Sequence, residues 1–141
     1  MKNILETNIH IQLLVLNVVN MPILLSACSN GKTQPLEEFY KDAKIENVGK
    51  VIIQDGSIGA SKTITNQEQI GEFLTLINEI EFTPQENQEK RDGWRYGITL
   101  LDGEKEFKFT LSHIGNTYYD SNLDIHPIVD NYYKQLEIIE E

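Results

Sequence analysis

The residue best equipped for chemistry in this 141-residue chain is Cys28, its one cysteine, which follows Leu25-Ser26-Ala27. A single thiol permits no internal disulfide, so packing must hold the fold together. Left alone, such a thiol is a small buried apolar group. Other reactive groups are sparse. Asp120-Ser121-Asn122-Leu123-Asp124 sets oxygen donors at alternate positions, as at the opening of a calcium loop. The pattern then breaks, with Ile125 where the sharp turn needs glycine and Asn131 where a bidentate glutamate belongs. These side chains are expected to bond turn backbone instead of a metal. His113 and His126 lack the companion ligands of a zinc site and are expected to be solvated or capping. No nucleophile elbow, HExxH helix, phosphate-binding loop or dinucleotide fingerprint occurs, and Gly56-Ser57-Ile58-Gly59 reads as a turn. The expectation is therefore a protein that is not an enzyme, with no catalytic residue, metal or cofactor to nominate.

The surroundings of Cys28 say more than its thiol. Lys2 gives a short basic start, and an apolar body runs from Ile11 through Leu25, interrupted by Gln12, Asn17 and Asn20 and broken by Pro22. A cleaved secretory leader with an apolar region of about 7–15 residues fits this better than a membrane span, which needs about 20. Leu25, Ser26, Ala27 and Cys28 together resemble the lipobox of bacterial lipoproteins, and Ser29-Asn30-Gly31-Lys32 resembles the polar tether that follows one. The resemblance implies cleavage between Ala27 and Cys28, a diacylglyceryl group and palmitate on Cys28, and a lipid-anchored position on the extracytoplasmic face of the cell membrane. Acyl chains contribute about 0.8 kcal/mol per buried CH₂, and two give stable anchoring.

Charge narrows the partners. The chain carries 12 Lys and Arg against 22 Asp and Glu, a net charge of −10. The leader removes one of each, Lys2 and Glu6, so the remainder is just as acidic. Such a field repels nucleic acid and anionic headgroups and attracts cationic peptides or basic protein surfaces.

Residues 28–49 are polar and read as a lipid-anchored tether, with a weakly ordered helical turn after Pro35 through Leu36, Phe39 and Tyr40. A single α+β domain is expected over residues 50–141. Its first strand is Lys50 to Asp55, followed by a short extended piece from Ser61 to Thr65. Asn66 caps a helix of about 14 residues whose apolar stripe is Ile70, Phe73, Leu74, Ile77 and Ile80. A strand from Glu81 ends at Pro84, and Gln85 to Asp92 is a polar loop without a core residue.

The strongest local signal is Asp102-Gly103 between two alternating runs, a two-residue type I′ hairpin turn. Counting outward with Leu101 opposite Glu104 pairs Ile98 with Phe107, Tyr96 with Phe109 and Trp94 with Leu111 on an apolar face. Thr99, Gly97 and Arg95 fall on the polar face with Glu106, Lys108 and Thr110. A further strand starts at Thr117, and a last helix near Pro127, with Asp124 or His126 as cap, carries Ile128, Val129, Tyr132, Leu136 and Ile139. The fold class expected is α+β: a small, mostly antiparallel sheet built around this hairpin and covered on one face by two amphipathic helices. In size, acidity and the pattern from Gly93-Trp94 to Leu136, the chain is similar to small lipoproteins of Gram-positive bacteria, among them immunity lipoproteins of lantibiotic producers. That resemblance implies a non-enzymatic binding protein that sequesters a cationic peptide; the alternative is a cell-envelope sensor or assembly partner that binds another protein.

Overall fold

Residues 32–136 are described by the structure, a computed structural model, so the leader, Ala27, Cys28 and the last five residues lie outside the described residues. The elements are β1 (Gln34–Pro35), α1 (Leu36–Asp42), β2 (Lys50–Asp55), β3 (Ser61–Ile64), α2 (Gln67–Ile77), β4 (Glu81–Pro84), β5 (Tyr96–Asp102), β6 (Lys105–Thr110), β7 (His113–Ile114), β8 (Thr117–Asn122) and α3 (Ile125–Gln135). The class is α+β. All strands join one eight-stranded antiparallel sheet in the order β1-β4-β8-β7-β6-β5-β2-β3. From β3 at one edge, α2 carries the chain back to β4 near the opposite edge.

Local chemistry explains where the helices begin. Asn66 accepts the Gln69 N–H at 3.0 Å and so satisfies a free donor of the first turn of α2. Asp124 does the same for α3 by accepting the His126 N–H at 3.1 Å. Pro127 thus sits inside the first turn, where its missing N–H is harmless. Helix α2 is 11 residues long, shorter than expected. Ile80 lies beyond it yet is still buried, because the chain turns back there to start β4.

The segment read as a tether proves to be part of the fold, and the folded unit starts at Thr33 rather than at residue 50. A third helix, α1, results. Leu36, Tyr40, Ile45 and Val48 are all buried in the core. Backbone bonds hold α1 against the end of α2, from Leu36 N–H to the Ile80 carbonyl at 2.9 Å and from Glu37 N–H to the Asn78 carbonyl at 3.0 Å. The Tyr40 hydroxyl donates to Asn78 Oδ1. Residues 44–49 are then pinned to the β5–β6 hairpin: one carboxylate oxygen of Asp102 accepts the N–H groups of Glu46 and Asn47 at 2.8 and 3.0 Å. A polar composition concealed these few anchors.

The hairpin register differs from the expected one by two residues. Asp102 pairs with Lys105, Leu100 with Phe107 and Ile98 with Phe109. The turn is therefore Gly103-Glu104, and only Gly103 has positive φ, +61°. One glycine at the first central position suffices for a type II′ turn, whereas the expected type I′ turn needs positive φ at both. A shift of two preserves the pleat, so the sorting of faces survives: Tyr96, Ile98, Leu100 and Phe109 are buried.

Alternate strand residues and the helix stripes meet in a single core cluster. Phe73 of α2 packs on Tyr132 of α3 with ring centroids 5.0 Å apart. At the β4 side Phe39, Phe82 and Tyr119 form an edge-to-face trio at 5.3–6.1 Å. Phe82 is fully buried at its centre. Replacing it, Phe82→Ala, is expected to cost about 3–5 kcal/mol, read as a lower urea midpoint with little change in slope.

Candidate binding surfaces around Trp94

The register gathers several loops at one end of the sheet. Asp55 lies beside Tyr96, Gly97 beside Thr110, and Thr110 beside His113. Tyr119 N–H bonds to the Ser112 carbonyl, so the second half of β8 projects past the same end. The loop after β2, the approach to β5, Leu111-Ser112 and the link from β8 to α3 are thereby neighbours.

Trp94 was expected in the core opposite Leu111. It is instead 45% exposed, because β5 begins only at Tyr96 and Gly93, at φ +86°, redirects the chain before it. The indole folds onto the polar side. A Cβ built at Gly56 would meet the Trp94 ring at 2.6 Å, and one at Gly97 would meet it at 3.3 Å. Two glycines, one of them in a strand interior where glycine weakens pairing, thus make the seat for a half-exposed tryptophan.

Behind Trp94 sits a charged network that joins residues far apart in sequence. Asp55 is 6% exposed, and its Oδ1 accepts the Ser57 hydroxyl at 2.7 Å, the Ser57 N–H at 2.9 Å and Arg95 Nε at 3.3 Å. These bonds, the Ser57 hydroxyl first, hold the Asp55 carboxyl below its ordinary range. Arg95 also reaches Asp130 at 3.4 Å and lies over the Tyr96 ring. The buried Tyr96 hydroxyl donates to Asp130 Oδ1 at 2.6 Å. Burial first, then that bond, pushes its pKa up to about 12, while the bond lowers Asp130. Tyr40 is likewise pushed up to about 12, mainly by burial.

The signs set a pH window. Depressed carboxyls, Asp55, Asp102 and Asp130, stabilise the fold above their ordinary 3.8 and lose that contribution as pH falls below it. Raised phenols contribute below their ordinary 10.0 and lose it as pH climbs through about 12. Chemical denaturation at a series of pH values is expected to give a plateau between these limits, falling at both ends. Asp55→Asn should flatten the acid limb.

Two grooves meet at Trp94. One, of about 500 Å³, lies at the end of the sheet and is lined by Trp94, Arg95, Ser112, Asp120, Asp124 and His126 among others. Ile58 and Leu123, 72% and 66% exposed, stand on loops at this end. The other, of about 480 Å³, lies on the polar side of the hairpin, where Gln54, Gly97, Thr99, Lys108, Thr110 and His113 line it beside Trp94.

The polar loop 85–92 borders this region and is tied down by side chains. Arg91 lies over the Tyr118 ring at 4.0 Å, its backbone N–H donates to the Tyr118 hydroxyl at 3.0 Å, and its guanidinium bonds Gln85 and the Asn87 carbonyl. Gln88 exchanges bonds with the Tyr118 backbone in the manner of a strand. The segment Asp120 to Asp124 likewise spends its oxygens locally: Asp120 accepts from Gln85, Ser121 from the Ile125 N–H, and Asp124 from His126. Among the described residues no cluster of three or more His, Cys, Asp or Glu is placed to hold a metal. His126 follows the cap of α3 and His113 stacks on Tyr118 at 4.3 Å. Cys28 lies outside the described residues.

Local sequence does not signal the exposure of Ile58 and Leu123 or the Asp55–Arg95–Asp130 network. The spacing Asp55-Gly56-Ser57 was the one local sign, since an aspartate two residues before a serine often closes a turn on itself. Compared with known proteins, the chain matches no family model, no curated protein and no solved structure.

Proposed function

We propose that the protein is a non-enzymatic lipoprotein, anchored through Cys28 to the extracytoplasmic face of the cell membrane, that captures a cationic amphipathic peptide and so confers immunity to it. The observation that carries the reading is the meeting of exposed apolar side chains with carboxylates at one end of the sheet: Ile58, Trp94 and Leu123 beside Asp120 and Asp124. A peptide with one apolar and one basic face is the complement of such a surface. The net charge of −10 adds long-range attraction.

The reading takes α2 and α3 as the cover of one sheet face, which leaves the polar side of the hairpin and the Trp94 end open. It also takes Cys28 as the mature N-terminus. Five peptide steps separate Cys28 from Thr33, so the domain would stay within about 17 Å of the bilayer. Tethering of that kind raises the local concentration of the binding domain where a membrane-directed peptide must pass.

The test is titration of the purified chain with a lysine-rich amphipathic peptide and with its glutamate-substituted counterpart, followed by calorimetry. Binding of the basic peptide alone, weakening as salt rises, is expected. Equal binding of both peptides, or of neither, would remove the sequestration reading.

A further inference from the structure

The second groove differs in chemistry from the first. Among the described residues none that lines it is a carboxylate, although the chain has 22. Among the described residues its one permanent cation is Lys108, exposed on β6 directly opposite Thr99 of β5. Among the described residues Lys108 forms no salt bridge, unlike Lys41, Arg95, Lys105 and Lys134. Thr99 makes no side-chain hydrogen bond there, and Gln54 makes only a long one, 3.4 Å, to the Gly59 carbonyl. Thr110 likewise makes only a long bond, 3.5 Å, to the His113 carbonyl, so a groove in an acidic protein presents an ammonium without a carboxylate partner and weakly engaged neutral hydrogen-bonding groups.

Its wall is aromatic and fixed. Trp94 rests against Gly56 and Gly97 so closely that a methyl group at either position would collide with or crowd the ring. Such seating holds the indole while leaving nearly half of it exposed. A flat apolar plate of that kind takes the apolar face of a ring-shaped ligand. The volume, about 480 Å³, lies in the range of small-molecule sites, in which a few polar groups orient a ligand against an apolar wall.

We infer that this groove binds a saccharide carrying a carboxylate: one pyranose face stacks on Trp94, hydroxyls bond Thr99, Thr110 and Gln54, and the carboxylate pairs with Lys108. A cationic ligand is disfavoured here because Lys108 would repel it and no acid is present to receive it. The inference shares Trp94 with peptide capture at the end of the sheet but rests on other polar groups, Lys108, Thr99, Thr110 and Gln54 in place of Asp120 and Asp124, so either can fail without the other.

Trp94 is the only tryptophan in the chain and borders both grooves, so its emission reports a ligand at either, and Lys108→Gln assigns the signal to this one. The full chain is titrated with a β-1,4-linked glucuronic acid trimer, the matching glucose trimer, and benzoate as a carboxylate without a sugar ring. A saturable emission shift at millimolar or lower glucuronate trimer is expected, with the glucose trimer about tenfold weaker and benzoate weaker still. Lys108→Gln should erase the preference for the acidic trimer without altering the thermal melt. Trp94→Ala should abolish binding of both trimers by calorimetry, and Gly97→Ala, which crowds the indole, should weaken both. The inference is overturned if neither trimer shifts the emission at millimolar concentration, if benzoate binds as well as the acidic trimer, or if Lys108→Gln keeps the preference.

Discussion

A chain that starts at residue 50 will not fold, whereas one that starts at Thr33 will unfold cooperatively. Removing residues 33–49 deletes four buried side chains, Leu36, Tyr40, Ile45 and Val48. At about 1.5–3 kcal/mol for each, the loss is comparable with the whole stability of a small domain, about 5–15 kcal/mol. The damage extends to what remains. Asp102 loses the Asn47 and Glu46 donors that hold its carboxyl down, and Phe82 and Tyr119 lose the Phe39 ring that packs on both. Strand β4 also loses β1, its partner on that side, and becomes an edge. Far-UV circular dichroism and amide dispersion of the two fragments decide the matter. A cooperative melt from the shorter fragment would mean that α1 merely rests on a core complete without it.

The second large effect concerns position in the cell. Cys28→Ala is expected to move the protein out of the membrane fraction or leave it with an uncut leader. Among the described residues no helix is long and apolar enough to cross a membrane. At about 0.8 kcal/mol per buried CH₂, loss of two acyl chains changes partitioning by many orders of magnitude. Fractionation with labelled palmitate measures it. Unchanged processing and membrane retention in the variant would rule out the lipid anchor.

Much of the fold was legible because local and tertiary preferences agree in it. The β-branched run from Val51 to Ile53 has no competing helical pattern, Asn66 and Asp124 cap as their chemistry dictates, and the faces of the hairpin follow from strict alternation. The misses arise where a distant contact outweighs a local cue. Leu36, Tyr40, Ile45 and Val48 are scattered among charged residues, and only α2, β4 and the hairpin give them a core to enter. Strand parity placed Trp94 inside, but parity holds only within a strand, and β5 starts two residues later. The glycines that seat its ring read locally as a turn and as a weak point in a strand; their purpose is visible only once Gly56 and Gly97 are neighbours. Arg95, expected across from Thr110, turns instead to Asp55 and Asp130, partners 40 and 35 residues away.

The site shows the same division. The acidity that suggests a basic ligand is plain in composition, whereas the distribution of that charge is not: carboxylates rim the groove at the end of the sheet and are absent from the one beside Lys108.

The most direct measurement is survival. A strain sensitive to a cationic amphipathic peptide, expressing either the intact chain or its Cys28→Ala variant, is exposed to that peptide. Peptide capture at the membrane predicts protection by the intact chain and its loss in the variant at equal protein level. No protection by the intact chain, or equal protection by both, would mean that membrane-tethered capture is not what this protein does.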